Sequence, residues 1–74
     1  MNIGEILRKH RKKLQLTQIQ LAEEAGTTQG HISDIENGNV PRMSGDIIVR
    51  LARALQTTPN VLLGVEEEKT DGKV

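Results

Sequence analysis

The 74-residue chain has no cysteine, no phenylalanine, tyrosine or tryptophan, only two prolines, and no net formal charge. Each shortage excludes something. Without cysteine there is neither a disulfide nor a thiolate-metal staple, so stability must come from packing, and the composition fits a reducing compartment. Without aromatic rings, single-stranded nucleic acid loses the platforms on which its bases stack. No apolar run approaches the roughly 20 residues of a membrane span, and the N-terminus lacks the apolar region of a signal peptide. A soluble, cytoplasmic protein without a membrane partner is the expectation. Zero net charge also removes the simplest electrostatic argument for a nucleic-acid partner.

What the chain does have is aliphatic: seven Ile, eight Leu and five Val. Its length suits one domain with a thin core, since so short a chain buries only about 60% of its unfolded surface. Charge is unevenly spread. Residues 66–74 (EEEKTDGKV) hold four acids and two bases, leaving residues 1–65 with eight bases against six acids, a net of +2. Five of those bases run together as Arg8, Lys9, Arg11, Lys12 and Lys13. Such a run ordinarily reads as a solvated helix face. Residues 1–65 are therefore taken as the domain, and 66–74 as an acidic flexible tail or a truncated linker.

Periodicity predicts helices throughout and no strand. Ile3, Ile6, Leu7, His10 and Leu14 share helical spacing over about 3–14, with Asn2 and Glu5 placed as an N-terminal cap. Leu16 breaks the pattern and tucks inward. Thr17 opens a second helix with Gln20 at the capping-box position, Leu21, Ala22 and Ala25 on its buried side, and Gly26 as its stop. Thr27 or Thr28 caps a third helix built on Ile32 and Ile35, and Asn37-Gly38 signals a turn. Ser44 caps a fourth helix with the stripe Ile47, Ile48, Leu51, Ala52 and Leu55. Thr58-Pro59 opens a short fifth, ending at Gly64. The fold class is all-α, a compact bundle of five helices.

One constellation stands out. Ala22, Gly26, Ile32 and Ile35 fall at intervals of four, six and three. A small residue at 22 admits a close helix crossing. Glycine at 26 makes a sharp turn, and the two isoleucines pin the third helix by one side and leave its other side free. These are the requirements of a helix-turn-helix reader, whose second helix enters the DNA major groove.

The complete segment LTQIQLAEEAGTTQGHISDIENG, within a match over about residues 3–64, resembles the lambda-repressor/Cro-like, or Xre-type, helix-turn-helix domains, phage repressors of the 434 type in particular. The resemblance implies a five-helix fold with the second and third helices as the reader. It also implies a sequence-specific transcription regulator, a repressor, acting as a homodimer on a twofold operator in double-stranded DNA. Separately from the resemblance, no cofactor, metal or small-molecule ligand is expected.

At 100° per residue, with Ile32 and Ile35 pointing inward, Gly30 lies about 170° away and Ser33 and Asp34 about 130° away. The groove-facing set is Thr28, Gln29, Gly30, Ser33 and Asp34. Gln29 matches a family position that reads bases, and its amide suits adenine N7 and N6. Gly30 departs from the phage pattern: either it lets the helix approach the groove floor, or it is a neutral substitution in a first turn. Asp34 either accepts from a cytosine amino group, repels wrong sites, or orients His31. Family match makes Gln18 a phosphate ligand at a helix start, and Thr17, His31, Asn37, Asn39 and Arg42 are further phosphate candidates. Arg11 and Glu36 match a family ion pair that holds the third helix in place. Around the fifth helix, Pro59, Val61, Leu62 and Leu63 either form a dimer patch or complete a thin core.

Two rival classes remain. An enzyme is disfavoured, because His10 and His31 lack metal-ligand spacing and Ser33-Asp34 lacks a general base. A protein-interaction module, such as an antitoxin or an adaptor of a larger complex, is compatible with the acidic tail.

Overall fold

The computed structural model describes residues 2–67, so the remainder of the expected tail lies outside the described residues. Five helices follow in order: α1 (Ile3–Lys13), α2 (Gln18–Ala25), α3 (Gln29–Glu36), α4 (Gly45–Ala54) and α5 (Pro59–Leu62). Each starts on a polar cap. Asn2, Thr17, Thr28, Ser44 and Thr58 all have extended backbones, and each side chain accepts the amide of the third helical residue. This satisfies a donor that the helix itself leaves without a partner. Thr28, not Thr27, caps α3. At Thr17 the box is complete, for its own amide donates to Gln20 Oε1 at 2.9 Å.

All five helices also end alike. A residue of positive φ follows each one: Gln15, Gly26, Gly38, Gln56 and Gly64. The next amide then returns to a carbonyl five residues back, as in Leu16 to Arg11, Thr27 to Ala22 and Asn39 to Asp34. This arrangement satisfies carbonyls at the helix end.

The helices bury a single aliphatic core. Leu7, Leu21, Ile32, Ile35, Leu51 and Leu62 are its largest fully enclosed side chains. Helix α2 packs on α3 and α4, while α1 packs on α3 and α5. Ile3, Leu16, Val40 and Met43 close the edges. Helix α5 corrects one expectation. Leu62 is fully buried and Val61 nearly so, because the last short helix lies against both α1 and α4 and completes the core. Of the expected patch only Leu63 is exposed, with Pro59 half-buried, and Val65 is exposed beside them.

Gly4 carries a constraint of a different kind. It is buried where α1 meets the end of α3, and a β-carbon there would collide with the Ile35 carbonyl and stand 2.8 Å from the Glu36 carbonyl oxygen. Both obstacles are backbone and belong to the helix that presents the site. Gly4→Ala should therefore destabilise the domain by about 1–3 kcal/mol in urea denaturation, the usual cost of overpacking. An unchanged midpoint would mean that the two helices can separate freely.

Candidate nucleic-acid interface

Gly26 sets the angle between α2 and α3. Its φ of 71° is left-handed, a conformation that costs glycine nothing, and its carbonyl accepts from Arg50 Nη1 at 3.3 Å. Arg50 is itself held by Asp46, one turn earlier on α4, at 3.0 Å. Ala22 is buried at the crossing, and Ile32 and Ile35 are sealed beneath α3. The opposite side of α3 therefore stands clear. Thr28, Gln29, Gly30 and Asp34 are exposed, and Ser33 and His31 are half-buried. Around them Thr17, Asn37, Asn39 and Arg42 are exposed, and Gln18 is half-buried.

Beneath this face lies one enclosed carboxylate. The Glu36 side chain has no exposed surface, whereas the Arg11 side chain keeps 11%. Arg11 Nε donates to Glu36 Oε2 at 2.6 Å, and Arg11 Nη2 donates to Oε1 at 3.0 Å, a two-pronged pair. The third guanidinium nitrogen donates to the Leu16 carbonyl at 2.9 Å, which ties the α1–α2 link to the same group. Glu36 Oε1 also accepts from Gln18 Nε2 at 3.0 Å and from Arg8 Nε at 3.3 Å. Burial alone would push the carboxyl upward. The hydrogen bonds from Arg11, Gln18 and Arg8, with the charge of Arg11, outweigh it and hold the group below the ordinary glutamate value.

The charge of Glu36 then decides the orientation of amides farther out. A carboxylate can only accept, so Gln18 must turn its NH2 inward. Its Oε1 is left facing Gln29, which must answer with a donor, and Gln29 Nε2 donates to it at 2.9 Å. Among the described residues, one N–H and the carbonyl oxygen of Gln29 stay uncommitted. That pair is the complement of adenine N7 and N6. The polarity of an exposed side chain is thus set through two hydrogen bonds by a buried ion pair.

The structure distributes the remaining candidates differently from the sequence expectations. Gln18 was expected to face phosphate, but its side chain sits inside the network, leaving one amide hydrogen and the start of α2 for an outer ligand. Arg8 was expected to be solvated. Instead it joins Glu36 and donates to Asn37 Oδ1 at 3.3 Å, linking α1 to the end of α3. Its place one turn before Arg11 was the available signal, since residues three apart share a helix face. His31 pairs with Thr27, its Nδ1 lying 2.9 Å from the Thr27 hydroxyl, and not with Asp34. Among the described residues no group of acidic, histidine or cysteine side chains is arranged to hold a metal ion, and no helix is long and apolar enough to cross a membrane.

This arrangement has counterparts. The P22 c2 repressor protein, solved in complex with a synthetic operator, is 32% identical, with a TM-score of 0.82 over 89% of this chain and 98% of that one. The restriction-modification controller protein C.AhdI from Aeromonas hydrophila is 31% identical, with a TM-score of 0.78 over 82% and 91%. SinR, a master regulator for biofilm formation solved in complex with DNA, is 25% identical, with a TM-score of 0.78 over 81% and 95%. No curated protein matches the chain. The helix-turn-helix family model spans residues 7–62, which take in the Arg11–Glu36 network and the whole exposed face of α3; the chain belongs to that family, in its Xre-type branch.

Proposed function

We propose that this protein is a sequence-specific, double-stranded-DNA-binding transcription regulator, a cytoplasmic repressor that lays α3 in the major groove. The observation that carries the reading is Gln29, exposed at the start of α3, with its amide orientation set from below and a free donor–acceptor pair turned outward. Thr28, Gln29, Gly30, Ser33 and Asp34 face the bases. Thr17, Gln18, His31, Asn37, Asn39 and Arg42 border them and meet phosphate. At Gly30 a β-carbon would meet nothing of the protein itself, which leaves both alternatives, close approach to the groove floor and a neutral substitution, open. The reading is of a binding module and not an enzyme: among the described residues the hydroxyl–imidazole pair of this face, Thr27 with His31, has no carboxylate hydrogen-bonded to the ring to complete a catalytic set.

The active species is a twofold dimer. Leu63 and Val65 are exposed and apolar next to Pro59, and joining two copies there would cover them. In such a dimer the two α3 helices would lie about 34 Å apart, one turn of B-form DNA.

Selection from a pool of random duplexes tests this. The expected product is a twofold motif with half-sites one helical turn apart. Arg42→Ala should weaken binding to all duplexes alike and reduce the salt slope by about one unit. A pool that shows no enrichment, together with a co-purifying protein partner, would replace the DNA reading with that of an adaptor.

A further inference from the structure

Thr27 has a hydroxyl with no task in capping, because Thr28 caps α3. That hydroxyl instead lies 2.9 Å from His31 Nδ1, four residues on. The half-buried His31 ring has a second nitrogen, Nε2, which makes no hydrogen bond among the described residues. No buried side-chain nitrogen or oxygen among the described residues is without a hydrogen-bond partner, so Nε2 is open to solvent. It opens on the flank of α3 opposite the Gln29 side.

We propose that Thr27 is a positioning residue that makes His31 Nε2 an outward N–H donor for a DNA phosphate. The inference rests on the DNA-binding reading and adds Thr27 to it. A neutral imidazole carries one proton, on either nitrogen, and the nitrogen without it accepts. A hydroxyl that donates to Nδ1 makes Nδ1 the acceptor and leaves the proton on Nε2. A protonated ring carries hydrogens on both nitrogens, and the same hydroxyl then accepts from Nδ1. The outward nitrogen is a donor in both of these states. Only the neutral ring with its proton on Nδ1, donated to the Thr27 oxygen, makes it an acceptor, and that state cannot meet a phosphate. The same bond also holds the ring against the α2–α3 turn, which places the donor relative to the reading helix. The phosphate is a matching acceptor, and such contacts fix the register of a reader without carrying sequence information.

The test uses the whole chain and has two readouts. Ring 15N shifts of His31 in the DNA-free protein, at about pH 8 where free imidazole is neutral, report the tautomer. Operator affinity reports the contact. Thr27→Ser keeps the hydroxyl, and Thr27→Val removes it with little change in shape. Wild type and Thr27→Ser should show the proton on Nε2, and Thr27→Val should show a mixture. Operator affinity should fall about three- to tenfold in Thr27→Val, recover in Thr27→Ser, and fall no further when Thr27→Val is added to His31→Ala. A wild-type proton on Nδ1, a Thr27→Val variant that binds like wild type, or a loss that persists unchanged in the His31→Ala background would each overturn the role of Thr27. Wild-type binding to the operator is measured separately, and where it is seen alongside any of those results the DNA reading stands. Failure of wild type itself to bind any duplex would overturn both.

Discussion

Arg11→Ala should remove about 3–5 kcal/mol of stability, because it strands a carboxylate with no exposed surface. A small domain has a total margin of about 5–15 kcal/mol, so the loss is a large share of it. The melting midpoint should drop by at least about 12 °C, at 4–8 °C per kcal/mol for a domain of this size. Arg8 and Gln18 continue to donate to Glu36, which favours the lower end of the range. A loss below about 1 kcal/mol would place the pair with exposed ion pairs and deny it a structural role. The double variant Arg11→Met, Glu36→Leu separates stability from function. Apolar replacement of a buried pair is often neutral or better, so much of the midpoint should return. Operator affinity should stay low, because Gln18 then has no carboxylate to orient it and Gln29 loses its set polarity.

The same carboxylate makes stability depend on acid. Its folded-state pKa lies below the ordinary glutamate value of 4.5. A group depressed in this way contributes stability that is fully present above the unfolded value. That stability is lost as pH falls from about 4.5 through the lower folded value. Denaturation midpoints measured through this acid range should fall more steeply for wild type than for the Arg11→Met, Glu36→Leu variant. Equal slopes would assign the acid sensitivity to other carboxylates.

How much of this was legible in the sequence follows the range of the forces involved. Helix starts are local, and Asn2, Thr17, Ser44 and Thr58 announce theirs within four residues. Helix ends are local only where glycine marks them. Gly26 and Gly64 were readable stops, but Gln15 and Gln56 take the same left-handed conformation with side chains that rarely adopt it, so they gave no signal. The division of α5 into buried Val61 and Leu62 and exposed Leu63 depends on where α1 and α4 lie, which no four-residue pattern contains. At the site, the exposed face of α3 followed from two isoleucines and a helical angle. The hydrogen-bond polarity that runs from Glu36 through Gln18 to Gln29 did not, because it joins residues 11 and 18 positions apart whose amides can point either way. Gly4 gives no local signal for a related reason: it answers to carbonyls 31 and 32 residues away.

Gln29→Ala should have the largest effect on function. On the proposed reading each half-site would lose a two-pronged base contact of about 1–3 kcal/mol, and a dimer on a twofold operator would lose two, about 2–6 kcal/mol or roughly thirtyfold or more in affinity. Preference should relax at one base pair in each half-site and persist at the others, which distinguishes the loss from that of Arg42→Ala. Stability should hardly change, because Gln29 is exposed and, among the described residues, its one side-chain hydrogen bond goes to the half-buried amide of Gln18, which keeps its bond to Glu36. Gln29→Glu is the sharper variant. A carboxylate cannot donate to Gln18 Oε1, and Gln18 cannot turn round without presenting its oxygen to Glu36. The new side chain must therefore swing away from Gln18. It also cannot donate to adenine N7, while it can accept from the amino group of cytosine. Binding to the selected operator should fall below that of Gln29→Ala, since a carboxylate enclosed by the groove against an acceptor is worse than an empty place. A fresh selection with Gln29→Glu should enrich cytosine at the altered position. If both variants keep the original preference, Gln29 is not the reader, and the polarity set by Glu36 serves only to hold α2 against α3.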